Sequence, residues 1–147
     1  METPKRRINI LILEDDLSTL CKIFNVLRSL RFDFSITVLS RYDYVEKLIN
    51  KSDLKFDLIL LDRDCSIGGS FHVLDLERFG AKRTISISSV PPYNIDALRR
   101  GVSMIIHKNY EDLNGFSKQL AVFIKKILNK AYPEEGQGGI CERKTID

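Results

Sequence analysis

The sequence predicts an α/β fold, a five-stranded parallel sheet covered by helices on both faces. Three observations point to it. Residues 58–61 (LILL) and 8–13 (INILIL) are near-continuous apolar runs, the pattern of strands buried on both sides. Strand-like and helix-like segments alternate five times along the chain. A length of 147 residues fits one domain with a proper core.

The elements follow in order. Residues 8–13 form the first strand and run into three acids, Glu14, Asp15 and Asp16. Leu20, Ile23, Phe24, Leu27 and Leu30 then fall at helical spacing, with Asp16 or Ser18 as the helix cap. Residues 34–39 (FSITVL) are rich in β-branched and aromatic side chains and read as the second strand. Residues 41–51 predict a short helix with Val45, Leu48 and Ile49 on one face. The third strand, 58–61, ends in Asp62, and 66–70 (SIGGS) is a flexible turn. A helix over 71–79 carries Val73, Leu74 and Leu76, and 84–88 (TISIS) is the fourth strand. Pro91-Pro92 breaks that strand, and a helix over 94–100 stops at Gly101. Residues 102–106 are the fifth strand, leading to His107 and Lys108. The last helix, 111–132, places Leu113, Phe116, Leu120, Phe123 and Ile127 on one stripe. The domain is thus expected over 1–132. Residues 133–147, polar and glycine-rich, are expected to be a flexible tail, with no room for a DNA-binding domain.

Composition narrows the function classes. Hydrophobic residues at 44%, charged residues at 29% and a net charge of +3 describe an ordinary globular protein. Lys5-Arg6-Arg7 and the Lys125, Lys126, Lys130 group are short basic spots without interleaved aromatics, so no direct nucleic-acid binding is expected. The three cysteines, Cys21, Cys65 and Cys141, are odd in number and lack metal-ligand spacing, which suggests a reducing compartment. The apolar run after Lys5-Arg6-Arg7 is too short for a secretory signal and ends in acids, and no stretch reaches membrane-spanning length. A cytoplasmic location with no membrane contact is expected.

In a parallel sheet the carboxyl ends of the strands share one edge, where ligands bind. That edge collects Glu14, Asp15 and Asp16 from the first strand, Asp62 from the third, Ser88 from the fourth and Lys108 from the fifth. Taken singly, each has an ordinary structural role: a cap, a turn residue, a solvated lysine. Taken together they make sense as a phosphoryl-transfer site. Clustered carboxylates need a counter-charge, and a hard cation such as Mg²⁺ supplies it through oxygen ligands. An ionised Asp62 can attack phosphorus and form an aspartyl-phosphate. Lys108 and the Ser88 hydroxyl would then share the charge on the phosphoryl oxygens.

The order ILILEDD, FDLILLDRDCS, ISISS and ALRRGVSMIIHK resembles the receiver domains of two-component response regulators, over about residues 7–130. The resemblance implies a flavodoxin-like (βα)5 fold with strand order 2-1-3-4-5. It implies Asp62 as phospho-acceptor, Ser88 as switch hydroxyl and Lys108 as phosphate contact. Mg²⁺ would be held by Glu14, Asp15, Asp62 and the backbone carbonyl of Asp64, with Asp15 and Asp16 as the other register of the acidic pair. It further implies a sensor histidine kinase or phosphotransfer protein as donor, and a downstream protein target. That target would read the face of helix four, strand five and the final helix, including Arg99, Arg100, Ile105 and Tyr110. The Ser88 hydroxyl is expected to gain a partner only once a phosphoryl sits on Asp62. Several positions depart from the family pattern. Ser66 replaces the usual proline after the acceptor. Asn109 replaces the proline after the lysine, removing the residue that favours a cis peptide there. The stretch from Ser88 to Lys108 is shortened, and Ile105 stands where a switching aromatic is common. These departures leave a second reading, a pseudo-receiver that binds partners without phosphorylation. A third is a phosphatase of the haloacid dehalogenase type, whose DxD signature Asp62-Arg63-Asp64 matches, but which carries it on the first strand.

Overall fold

The computed structural model describes residues 6–64 and 71–133. The predicted turn at 66–70, the Ser66 departure, Cys65, Cys141 and the tail beyond 133 lie outside the described residues. Five parallel strands, β1 (Arg7–Leu13), β2 (Asp33–Leu39), β3 (Leu58–Asp62), β4 (Thr84–Ser88) and β5 (Met104–His107), make one sheet in the order β2-β1-β3-β4-β5.

Alternating side chains of the same strands feed two separate cores. Ile8, Ile10, Ile12, Leu58, Leu60, Ile85 and Ile87 point to one face, where α1 (Leu17–Ser29) and α5 (Leu113–Ala131) pack. Leu11, Leu13, Ile59 and Leu61 point to the other, covered by α2 (Tyr42–Tyr44), α3 (Leu76–Phe79) and α4 (Pro91–Arg99) with the turns between them. β3 is buried at every residue, which is why its run is uninterrupted. Strand order reverses between β1 and β3, so their carboxyl ends flank the crevice such sheets use for ligands. The DxD pair follows the third strand, not the first.

Several elements differ from expectation. Of the two caps expected for α1, Asp16 is the one used: its Oδ2 accepts from the Thr19 N–H at 2.8 Å. Val26 faces the core where Phe24 was expected, and Phe24 is exposed. The second helix continues from α2 as a π-helical turn, Val45–Ile49, closed by Asn50 N–H donating to Val45 O at 2.8 Å. Val45 and Ile49 face inward there and Leu48 faces out. The predicted helix over 71–79 is split into a 3₁₀ turn, Phe71–Val73, and α3. Asp75 causes the break, because its side chain takes the Arg78 N–H and starts a new helix. Pro91-Pro92 opens α4 rather than preceding it; proline's fixed φ suits the first turn, where its missing N–H costs nothing. Gly101 ends α4 as expected, at φ 96°. β5 begins at Met104 instead of 102, since the Val102 N–H is spent on Ala97 O at the end of α4.

Candidate functional site

The ladder holds the site rigid past the strand ends. Arg63 N–H donates to Ile87 O at 2.9 Å, and Lys108 N–H donates to Ser88 O at 2.9 Å. Asp62, Ser88 and Lys108 therefore stand side by side on β3, β4 and just after β5. Glu14 follows β1 directly, its N–H donating to Leu39 O at 3.1 Å.

Lys108 is the centre of charge. Its Nζ is 2.5 Å from Asp62 Oδ2 and 3.3 Å from Glu14 Oε1. Lys108, Asp62 and Glu14 are each only 1% exposed, so water screens this triad little. Glu14 Oε2 is held by its own turn, accepting from the backbone N–H of Asp15 (3.0 Å) and Asp16 (3.1 Å). Two buried carboxylates thus face one ammonium. Burial first, and then the neighbouring Glu14, push the Asp62 carboxyl up to about 9, while Lys108 opposes the rise. Burial works against the Lys108 charge, yet Asp62 and Glu14 outweigh it and raise its pKa. The ammonium keeps its proton, and in the absence of a cation the excess of carboxylate over ammonium is relieved by a proton held on Asp62.

Asp64 makes a second cluster beside the first. Its N–H donates to Asp62 Oδ1 at 2.6 Å, and its own carboxylate turns toward β4. Ser88 Oγ donates to Asp64 Oδ1 at 2.5 Å. The Ser89 N–H and Ser89 hydroxyl both donate to Oδ2 at 2.8 Å, and the Tyr110 hydroxyl does so at 3.2 Å. Burial opposes the Asp64 charge, but the hydroxyl and N–H donors of Ser88 and Ser89, with Lys108 behind them, hold its carboxyl below the usual range. Burial moves Tyr110 the other way, to about 12, so it remains a protonated donor.

Glu14, Asp62 and Lys108 are brought into contact, as the sheet-edge argument requires. Ser88 is present at that edge but bonded to Asp64, which corrects the expectation that its hydroxyl has no partner beforehand. Asp15 is half-buried next to Glu14. Asp16 is occupied with Thr19, whose hydroxyl and N–H hold its carboxyl below the ordinary range against the pull of burial. Among the described residues, no group of three or more His, Cys, Asp or Glu is already gathered as a metal site. The donor chemistry nevertheless fits a hard cation, since oxygen ligands with unbalanced negative charge meet at one edge. Sequence reasoning missed the Asp64 carboxylate, Ser89 and the Tyr110 hydroxyl. The signals were the tandem Ser88-Ser89 at a strand end and the second acid of Asp62-Arg63-Asp64. It also missed Arg63, buried, whose Nη1 reaches Asp96 Oδ2 (3.1 Å) and Tyr93 O (3.2 Å) and ties the end of β3 to α4.

No family model matches the chain, and no curated protein does. Solved structures do. The phosphorylated cyanobacterial phytochrome response regulator RcpA is similar at a TM-score of 0.62 and 16% identity, covering 84% of this chain and 93% of that one. The Mn²⁺-bound form of response regulator Rcp1 is similar at 0.59 and 16%, covering 88% and 96%. A response regulator receiver domain from Rhodospirillum rubrum gives 0.57 and 18%, covering 81% and 94%. The chain has the receiver fold.

Proposed function

We propose that this chain is a phospho-accepting receiver of a two-component phosphorelay, with Asp62 as acceptor. The observation that carries the reading is the buried Asp62–Lys108–Glu14 triad at the carboxyl edge of a receiver-type sheet. A carboxylate oxygen of Asp62 bonds to phosphorus as the donor's bond to that phosphorus breaks, and the electron pair leaves with the donor. The donor is a sensor histidine kinase or phosphotransfer protein. Lys108 already lies at hydrogen-bond distance from Asp62 and would stabilise charge on the new phosphoryl oxygens. Ser88, on the adjacent strand end, supplies a hydroxyl to the same group. Glu14, Asp15, Asp62 and the carbonyl of Asp64 would hold Mg²⁺, which supplies the counter-charge that keeps the acceptor ionised. The Asp16 carboxylate is committed to its helix cap, which favours Glu14 and Asp15 as the acidic pair. The Mn²⁺-bound neighbour supports a divalent cation in this fold.

Output passes through protein contacts in the cytoplasm, by the face of α4, β5 and α5. Arg63 supports that route, because it joins the residue next to the acceptor to α4. The phosphatase reading requires the second acid of the DxD pair as a proton donor, and Asp64 is instead a charged acceptor of four hydrogen bonds. Incubation with acetyl phosphate and Mg²⁺, followed by mass spectrometry, should add one phosphoryl group at Asp62. Asp62→Asn or a chelator should abolish it, and labelling that survives Asp62→Asn overturns the assignment.

A further inference from the structure

We propose that the Asp64 carboxylate is a built-in stand-in for the phosphoryl group, seating the end of β4 in its anion-bound arrangement before any modification. The donors around it include Ser88, the hydroxyl that the proposed function gives to an oxyanion on Asp62. Ser88 Oγ, Ser89 N–H and Ser89 Oγ come from the end of β4, and the Tyr110 hydroxyl comes from beyond β5, all within 3.2 Å of its two oxygens. The Lys108 ammonium stands 4.0 Å from Asp64 Oδ2 while bonded to Asp62. The residue that carries this anion also holds the acceptor, since the Asp64 N–H donates to Asp62 Oδ1.

The Ser88 hydroxyl is therefore satisfied twice over. It donates to Asp64 and accepts from the Val90 N–H at 2.9 Å, which fixes the residue that caps α4. A ligand shifts a two-state element only through contacts it makes in one state and not in the other. With Asp64 already in place, a phosphoryl on Asp62 must displace one anion with another, and the net change at β4 is small. Asp64 is thus a positioning residue for the switch. It leaves phosphorylation only a small further change to make at the surface around Val90 and α4.

The inference rests on the phospho-accepting reading only in its second half, and the test separates the two. Amide NMR shifts are recorded for wild type and Asp64→Ala, each with and without Mg²⁺ and beryllofluoride as phosphoryl mimic. Without ligand, Asp64→Ala should move not only Ser89 but also Val90 and residues 91–95 of α4. With ligand, residues 88–95 of the wild type should shift less than a third as far as those of Asp64→Ala. Equal ligand shifts in the two proteins overturn the inference. So does a ligand-free variant whose α4 amides coincide with the wild type. Silence around Asp62 in both proteins would instead sink the phospho-accepting reading, and the ligand-free pair would still decide whether Asp64 seats β4. Should Asp64→Ala fail to fold, Asp64→Asn keeps the volume, loses the charge and is judged by the same criteria.

Discussion

One ammonium serves two carboxylates at the centre of this molecule, and the chemistry of single residues follows from that ratio. The Asp62 pKa in the folded chain is raised to about 9, above its ordinary value in the unfolded chain. The folded state thus binds an extra proton between those values. Its contribution to stability is fully present below the ordinary carboxylate range and is lost as pH rises through the folded value. In the presence of a chelator, urea-unfolding stability should fall across about pH 5 to 9, and Asp62→Asn should flatten the fall. Parallel curves for the two proteins would refute the assignment of the charge strain to Asp62. The three acids after β1 divide by a second test. Asp16→Ala removes the cap bonded to Thr19 and should cost about 0.5–2 kcal/mol with little change in Mg²⁺ affinity. Asp15→Asn should weaken Mg²⁺ strongly at little cost to stability. If calorimetric titration finds Asp16→Ala losing more Mg²⁺ affinity than Glu14→Gln, the acidic pair is Asp15 and Asp16. The residue types at this edge were legible in the sequence, because strand ends in a parallel sheet must meet. The direction of each side chain was not, since Asp64 could face either the cation or β4 until the partners of Ser88 and Ser89 were known.

At the scale of elements, α4 carries the most consequence for its length. It is held by two polar ties besides Ala97. Asn94, 5% exposed, accepts from Ser86 Oγ at 3.0 Å and donates to Ile106 O at 3.1 Å, pinning the helix to β4 and β5 at once. Arg63 adds the tie to β3. Asn94→Ala leaves a buried hydroxyl and a carbonyl without that partner, which should cost about 1–3 kcal/mol. It should also speed amide exchange within α4 more than within α5. A loss below about 0.5 kcal/mol would mean that apolar docking through Ala97 alone holds the helix. Strands were the legible elements, because burial on both faces writes a run that few other structures produce. The helices were less so. Their stripes gave the buried face only approximately: α1 buries Val26 in place of Phe24, and α5 buries Ile124 and Leu128 while Phe123 and Ile127 are half-buried. Asp75 split another helix, a π-helical turn rotated Leu48 outward, and prolines opened α4 where they were expected to end a strand.

At the scale of the whole molecule, the proposed function assigns one end of the sheet to chemistry and one lateral face to output. Apolar runs made the parallel sheet readable, and the order of its strands came from the resemblance to receivers rather than from any pattern in the runs. The output face can be read more finely from the structure. Ile95 and Leu98, three residues apart on α4, are both close to half exposed, while the residues just before each, Asn94 and Ala97, are buried. Tyr110 is exposed as well and bonded to Asp64, so the acceptor region and this face share a residue. Arg100 already donates to Leu74 O at 2.8 Å, and Ile105 is half-buried against the core, so both offer less exposed surface than Ile95 and Leu98. Outward apolar side chains on a helix that is otherwise well tied are available for docking without any refolding. Leu98→Asp should therefore abolish capture of the downstream protein while leaving folding stability within about 0.5 kcal/mol. Phosphoryl labelling of Asp62 by acetyl phosphate should be unchanged, because Leu98 lies outside the triad. Loss of labelling together with loss of capture would show that the substitution disturbed the site, and retention of capture would place the output surface elsewhere on the molecule.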